Sequence, residues 1–96
     1  MIRVRIYYMP GFLRTTDSDK YASHLKSLIM KLMGKEISIP CSPMEGMLLR
    51  LYDFAEELNL NEKEVEHLKI FNLFIIHSVE ITSKNIHLLI SPFDNN

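Results

Sequence analysis

The sequence predicts an α+β domain in which a small sheet is covered by helices. Three observations lead to this prediction: strand-like alternation at both ends of the chain, amphipathic segments of helical period between them, and a length of 96 residues, too short for two independent cores. Hydrophobic residues make up 47% of the chain and charged residues 24%, as in ordinary globular proteins. We therefore expect a single domain over 1–96.

The first two elements are a strand and a helix. Arg3–Tyr8 alternates polar and apolar residues, which is the period of a half-buried strand, and Met9-Pro10-Gly11 ends it. Asp17-Ser18-Asp19 then offers a helix N-cap, and Gly34 is placed to follow the last helical turn. Between them, apolar residues recur at helical spacing, which predicts an amphipathic helix over 18–33. They are Tyr21, Leu25, Leu28, Ile29 and Leu32.

A second strand and a second helix are expected next. Lys35–Ile39 alternates again and is closed by Pro40. Ser42-Pro43-Met44-Glu45 has the composition of a capping box with proline at the first helical position. One apolar stripe follows it at helical spacing, formed by Met44, Leu48, Leu51, Ala55 and Leu58. These signals predict a helix over 43–58, with Asn59 as its stop.

The last third of the chain is expected to add a short helix and two strands. Asn61–Glu64 repeats the cap pattern and predicts a helix reaching about Lys69. Phe71–His77 is rich in bulky and β-branched residues, as in a central strand, and Ser78–Thr82 is either a strand extension or a hairpin return. After a turn, Ile86–Ile90 forms the final strand and Pro92 stops it. Three or four strands in one sheet are expected.

Charge and cysteine content exclude several kinds of partner. The net charge is -1 and the basic residues are dispersed, which predicts no nucleic-acid partner and no anionic membrane surface. The longest apolar run, Leu73–Ile76, is too short for a membrane helix. Met1–Arg5 is charged where a secretory leader turns apolar, and Cys41 has no cysteine partner. We expect a reduced, cytoplasmic protein.

No residue constellation predicts catalysis, a cofactor or a metal site. The histidines share no ligand spacing, although two of them, His77 and His87, lie on strands that could face each other. Cys41 precedes the predicted helix N-terminus, which favours a thiolate, but a small turn residue is the simpler interpretation. Glu56-Glu57 and the acidic residues of 62–66 lie on predicted polar helix faces. The chain is not expected to be an enzyme on its own.

Five segments, in order, resemble one known family. Met1–Tyr8, Lys35–Pro40, Ser42–Leu58, Phe71–Glu80 and Ile86–Phe93 are similar to the strands, capped helix and tail of the molybdopterin-synthase small subunit and thiamine sulfur-carrier family. The resemblance implies a ubiquitin-like β-grasp fold, a mixed sheet of 3–5 strands packed on the central helix. It also implies that the first and last strands pair in parallel at the sheet centre. Helix 18–33 would be an extra helix inserted after the first strand.

The C-terminus departs from this family. Its members end in Gly-Gly, whose carboxylate is adenylated by an E1-like enzyme and converted to a thiocarboxylate, whereas this chain has no Gly-Gly and ends Asp94-Asn95-Asn96. The resemblance therefore implies a non-catalytic, sulfur-carrier-like binding module whose protein partner is an E1-like adenylating enzyme or a synthase large subunit. Residues expected to contact it are Ile90, Pro92, Phe93, Asp94, Asn95 and Asn96.

Three alternatives to this hypothesis stay open at the level of sequence. The tail could be a polar end with Phe93 folded back on the core. The chain could be a genuine sulfur carrier of cofactor biosynthesis with an atypical C-terminus. It could also be an unrelated small α+β adaptor that binds its partner through helix 18–33. The direction of pairing between the first and last strands separates the last alternative from the family, since a purely antiparallel sheet would exclude the β-grasp fold.

Overall fold

The protein has an α+β architecture with a mixed, curled sheet. The structure is a computed structural model that describes residues 1–12, 23–71 and 73–93, with the backbone alone at 23–25. In chain order, the elements are β1 (Ile2–Tyr8), α1 (Ser23–Leu32), β2 (Glu36–Ile39), β3 (Leu48–Leu49), a 3-10 helix (Leu51–Phe54), α2 (Glu62–Leu68), β4 (Phe74–Ile81) and β5 (Ile86–Pro92).

Five strands form one sheet in the order β2-β1-β5-β4-β3. β1 and β5 lie at its centre and pair in parallel, from Arg5 opposite His87 to Tyr8 opposite Ile90. The pairs β1–β2, β4–β5 and β3–β4 are antiparallel. The predicted parallel pairing of the first and last strands is confirmed. β3 is the strand that the sequence patterns did not predict.

One face of the sheet forms the core. Strand residues alternate between the two faces, so every second side chain of the central strands is buried. α1 packs on this face through Leu28, Ile29 and Leu32, and α2 through Leu68. Each fully buried large aliphatic side chain contributes about 1.5–3 kcal/mol. The buried strand residues are Val4, Ile6, Tyr8, Ile37, Ile39, Phe74, Ile76, Leu88 and Ile90.

Two predicted helices are confirmed within the described ranges. α1 covers 23–32 of the helix expected over 18–33, and residues 18–22 lie outside the described residues. Gly34 follows it at φ 78° and donates its N–H to the Ile6 carbonyl at 2.7 Å, which joins the end of α1 to β1. α2 begins with the predicted capping box, formed by Asn61 and Glu64. Over the described ranges, neither helix has the length and apolar character needed to cross a membrane.

The helix predicted over 43–58 is wrong. Its capping box does not form, and Leu48–Leu49 instead runs antiparallel to β4 as β3. The Gly46 N–H donates to the Ile76 carbonyl at 2.8 Å, and the Ile76 N–H donates to the Met47 carbonyl at 2.9 Å. Gly46 has φ 88°, which is incompatible with a helix interior. The reason is tertiary, because the open edge of β4 offers this segment backbone partners that outweigh its helical pattern.

The rest of this segment keeps part of its predicted role. Leu51 and Leu58 are buried, whereas Met44 is 65% exposed and Leu48 45% exposed, so the predicted apolar stripe is divided. Asn59 adopts φ 57°, in the left-handed region. Its N–H donates to the Glu56 carbonyl and the Leu60 N–H donates to the Ala55 carbonyl, which is the Schellman arrangement. Asn59 therefore acts as the predicted stop, but for a short helical turn.

Candidate functional site

The face of the sheet opposite the core carries the candidate site. The α1, α2 and 3-10 helices contribute their buried residues to a single core on the other side, and no described helix covers this face. We call it the open face. The register places Tyr7 beside Leu89 at its centre, where β1 and β5 meet. Leu48 lies beside Ile75 at the β3 end, so a half-exposed apolar band crosses the sheet, with Ser78 beside Leu89 and Ser91 beside Ile75 between its two ends.

An aromatic pair and a shallow depression mark the β1–β5 part of this face. The rings of Tyr7 and His87 lie with centroids 4.8 Å apart at an interplanar angle of 53°. Glu80 of β4 lies opposite His87 on the same face. With Met33 and Leu89, these side chains line a depression of about 380 Å³. The depression combines an aromatic ring, aliphatic carbon and one carboxylate.

Polar groups lie both within the apolar band and at its border. The His77 ring nitrogen Nε2 and the Ser91 hydroxyl are joined by a hydrogen bond across β4 and β5. Arg5 Nη2 lies 3.9 Å from a Glu36 carboxylate oxygen, and Arg5 Nε donates to Asn85 Oδ1 at 3.3 Å. These partly exposed contacts contribute little stability in water. Their effect is to hold the Arg5 side chain between β2 and the β4–β5 hairpin at the border of the open face.

The predicted tail residues have different environments. Ile90 is 0% exposed and lies in the core, so its side chain offers no surface in this fold. Pro92 ends β5 opposite Phe74. Phe93 is half-buried, and its N–H donates to the Leu73 carbonyl at 2.9 Å. Asp94–Asn96 lie outside the described residues, and the partner contact expected from the tail stays a prediction.

The cysteine and histidine hypotheses change with the structure. Cys41 is exposed on the loop after β2, and because the helix predicted over 43–58 does not form, Cys41 does not precede a helix N-terminus. It lines a mostly apolar cavity of about 530 Å³ with Arg50 and Asp53 at its polar positions. His77 and His87 do not face each other, since His87 lies opposite Glu80. Within the described residues, no group of three or more potential ligands could hold a metal ion.

Among the described residues, two titratable groups have shifted pKa values, and each shift has a structural cause. Burial raises the pKa of Tyr8 above its usual range, and its hydroxyl is enclosed in the core with no hydrogen-bond partner among the described residues. The hydrogen bond from Lys31, at 2.9 Å, lowers the pKa of Glu64, and the backbone N–H of Asn61 adds to this effect. One group belongs to the core and the other to a helix cap, so neither lies on the open face.

The sequence patterns did not identify Tyr7, His87 and Leu89 as one cluster on the open face. Alternation alone places Tyr7 and Leu89 on the side opposite the apolar core residues, and that signal was present in the sequence. Their adjacency was not, because residues 82 positions apart in the chain meet only through the parallel register of β1 and β5. The signal that could have found them is the predicted parallel pairing applied residue by residue.

Comparison of the chain with protein-family models, curated proteins and solved structures found no match. A hypothesis about function therefore depends on the strand order of the sheet and on the residues of its open face.

Proposed function

We propose that this protein is a non-catalytic protein-binding module of the ubiquitin-like, β-grasp type, and that it docks a protein partner through the open face. The observation that carries the proposal is the half-exposed apolar band on that face, with Tyr7 and Leu89 at its centre. Antiparallel and mixed sheets with one face in water normally alternate apolar-in with polar-out. An aromatic and aliphatic band at the outward positions favours a covered surface.

The arrangement of strands supports the β-grasp assignment. A parallel central pair flanked by antiparallel neighbours is what the family resemblance implies. The covering helix is the departure, because α1 lies between β1 and β2 and the segment 43–58 does not supply it. α1 presents Leu28, Ile29 and Leu32 to the same core. The helix that covers the sheet is thus α1, which precedes β2, and not a helix formed by the segment 43–58.

The partner class is the one that the resemblance implies, and the composition of the open face supports a protein partner. An E1-like adenylating enzyme or a synthase large subunit would contact the open face with Tyr7 as an aromatic anchor. Tyrosine is enriched among the residues that dominate protein interfaces, where truncation costs 2 kcal/mol or more. Ser91 lies on the open face one residue before Pro92, so a tail contact through Pro92 and Phe93 would adjoin the same interface.

The test is calorimetric binding of the full chain to each of these two partner proteins from the same source. Leu89→Asp places a charge at the centre of the open face and is expected to weaken binding by about 30-fold or more, as for an interface hot spot. Met30→Asp is the matched control, because Met30 is a 57% exposed apolar residue on α1, away from the open face. Circular dichroism and thermal unfolding verify that both variants fold.

Two results would overturn the proposal. One is equal binding by the Leu89→Asp and wild-type proteins, which would place the interface elsewhere. The other is the absence of binding to both partners by the wild-type chain, which would remove the partner class. An increase in intact mass corresponding to replacement of oxygen by sulfur, after incubation with the adenylating enzyme and a sulfur donor, would instead show the carrier chemistry that the proposal denies.

A further inference from the structure

Among the described residues, the outer edge of β4 has pairing partners along only part of its length. β3 runs beside Phe74 and Ile75. Beyond β3, the residues just before it still bond to β4, because the Gly46 N–H donates to the Ile76 carbonyl and the Ile76 N–H donates to the Met47 carbonyl. β4 itself continues to Ile81. No described strand lies beside its final residues on this side.

The hairpin that follows shows which backbone groups face outward. The Thr82 N–H donates to the Asn85 carbonyl at 2.8 Å, so Thr82 and Asn85 form a hydrogen-bonded pair. Antiparallel pairs alternate between hydrogen-bonded and non-hydrogen-bonded positions. Glu80 and Ser78 therefore direct their N–H and carbonyl groups toward β5, and Val79 and Ile81 direct theirs away from it. The register shift between Ile76 and Ser78 separates this stretch from the part that β3 covers.

The opposite edge of the sheet is protected in a way that this stretch is not. In β2, the Ser38 N–H donates to the Glu57 carboxylate at 2.7 Å. On β4, Ile81 is 81% exposed and lies at the unpaired end. An edge with outward N–H and carbonyl groups and an exposed apolar side chain is the arrangement that accepts another strand.

A second copy of this chain is a poor occupant. Two β4 edges related by a two-fold axis run antiparallel, and one register lets Val79 and Ile81 of both copies form hydrogen-bonded pairs. That register places Glu80 directly opposite Glu80 of the second copy, at the close spacing of about 4.5 Å between Cα atoms. Like charges directly opposite each other destabilise a strand pair. The same geometry stabilises a strand that carries a basic residue at this position.

We infer that the β4 edge from Ser78 to Ile81 binds an extended segment of another protein by strand addition. The bound segment has an apolar-basic-apolar pattern. Its basic residue faces Glu80, and the apolar residues on either side contact Val79 and Ile81 on the other side of the sheet. This inference goes beyond the open-face proposal, because it requires neither Tyr7 nor Leu89.

The binding experiment uses the capped peptide Thr-Val-Lys-Val-Thr, whose symmetric sequence presents the same pattern in either strand direction. Titrated into the isotope-labelled full chain, it is expected to shift the amide signals of Val79 and Ile81 in a saturable way. The peptide with glutamate in place of lysine is expected to bind at least tenfold more weakly. Saturable shifts confined to other residues, no saturable shift, or equal binding of both peptides would overturn the inference.

Two variants make the result specific to the edge. Ile81→Pro removes an outward N–H that does not bond to β5, and it is expected to reduce peptide affinity at least tenfold. Ile81→Val is the control, because it keeps this N–H, and it is expected to bind the peptide as the wild-type chain does. Glu80→Lys tests the charge without altering the backbone and is expected to prefer the glutamate peptide. An unchanged preference in Glu80→Lys, or equal binding by Ile81→Pro, would contradict strand addition.

Sedimentation equilibrium tests whether a second copy of this chain, instead of another protein, binds the β4 edge. The wild-type chain is not expected to dimerise through this edge. A dimer that Ile81→Pro abolishes would assign the edge to a second copy and overturn the inference. Because Ile81 is not a residue of the open face, failure of edge binding and failure of open-face docking are observed separately.

Discussion

The side-chain carboxylate of Glu57 accepts a hydrogen bond from the backbone N–H of Ser38, with 2.7 Å between oxygen and nitrogen. Ser38 lies in β2, which is an edge strand of the sheet. The outward donor of an edge strand is otherwise available to another chain. Glu57 thus connects the turn ended by Asn59 to the edge of the sheet and occupies one of its free backbone groups.

Removing this carboxylate is expected to lower both stability and solubility. Glu57→Ala is expected to reduce the free energy of unfolding by about 1 kcal/mol, because the bond is formed to a charged group but is exposed to solvent. It also frees the Ser38 N–H, so aggregation at high concentration should increase. Urea unfolding and light scattering measure the two effects. Glu56→Ala is the matched control, and equal changes in both variants would contradict the role of Glu57.

Whether Gly46→Ala raises or lowers the free energy of unfolding distinguishes a helix from the observed structure in the 43–58 segment. In a helix interior, alanine would stabilise the protein by about 1 kcal/mol relative to glycine. At the observed φ of 88° it should destabilise the protein by a similar amount, although an added Cβ meets no atom within 4 Å. Thermal and urea unfolding give the sign. A stabilised variant would favour the helix over β3.

Tyr8→Phe is expected to stabilise the protein. The Tyr8 hydroxyl is buried and has no hydrogen-bond partner in the part of the chain that the structure describes, and such a group costs about 1–3 kcal/mol relative to its hydrated state. Phenylalanine keeps the ring contacts with Phe12 and Phe74. The expected gain in the free energy of unfolding is about 1 kcal/mol. Tyr7→Phe is the control on the open face, and a loss of stability in Tyr8→Phe would show that the hydroxyl has a partner in solution.

The same residue predicts a difference at alkaline pH. Because burial raises the pKa of Tyr8 in the folded state, the unfolded chain ionises at a lower pH than the folded one. Stability is therefore unaffected by this ionisation below the unfolded value of about 10 and decreases as pH rises toward the folded value. The stability advantage of Tyr8→Phe should therefore widen above pH 10. Urea midpoints at pH 8 and pH 11, compared between the two proteins, measure it, and a constant difference would contradict the shift.

Glu64 predicts a difference at acidic pH. The hydrogen bond from Lys31 lowers the pKa of its carboxyl in the folded state, so the stabilisation is present above the unfolded pKa of about 4.3 and is lost as pH falls through the folded value. Glu64→Gln should be less stable than wild type at pH 7, by less than about 1 kcal/mol for this partly exposed pair. The difference should vanish near pH 2.

The control for this pair is Glu66→Gln. The Glu66 side chain is 71% exposed, and its contact with Lys69 is 3.3 Å long within one helix. Its effect should be smaller than that of Glu64, which also completes the capping box of α2. A pH-independent loss in Glu64→Gln would show that the capping geometry matters and the charge does not.

Local patterns were sufficient wherever the partners of a segment lie close in sequence. The Asn61–Glu64 capping box predicted the start of α2, since both of its hydrogen bonds join residues three apart. The alternation of Arg3–Tyr8 predicted β1 and its buried face for a similar reason. The stop at Asn59 was also correct, because the left-handed conformation depends on that residue and its nearest neighbours.

The candidate site was predictable only in part. The patterns indicated which strand residues face away from the core, including Tyr7 and Leu89, and the family resemblance indicated that β1 and β5 are parallel. Neither the patterns nor the resemblance indicated the register of β1 against β5, which places Tyr7 beside Leu89 and Arg5 beside His87. The adjacency of these side chains depends on where two distant strands align, which no local hydrogen bond determines.

The segment 43–58 separates the two kinds of information most clearly. Its own residues determined an amphipathic pattern, a cap composition and a stop, and in isolation these favour a helix. The tertiary structure decided otherwise, because β4, nearly 30 positions further along, has an unpaired edge beside it. Backbone groups at that edge must find partners, and Leu48–Leu49 supplies them. A strand edge formed elsewhere in the chain therefore overrides a helix preference of a few kcal/mol at most.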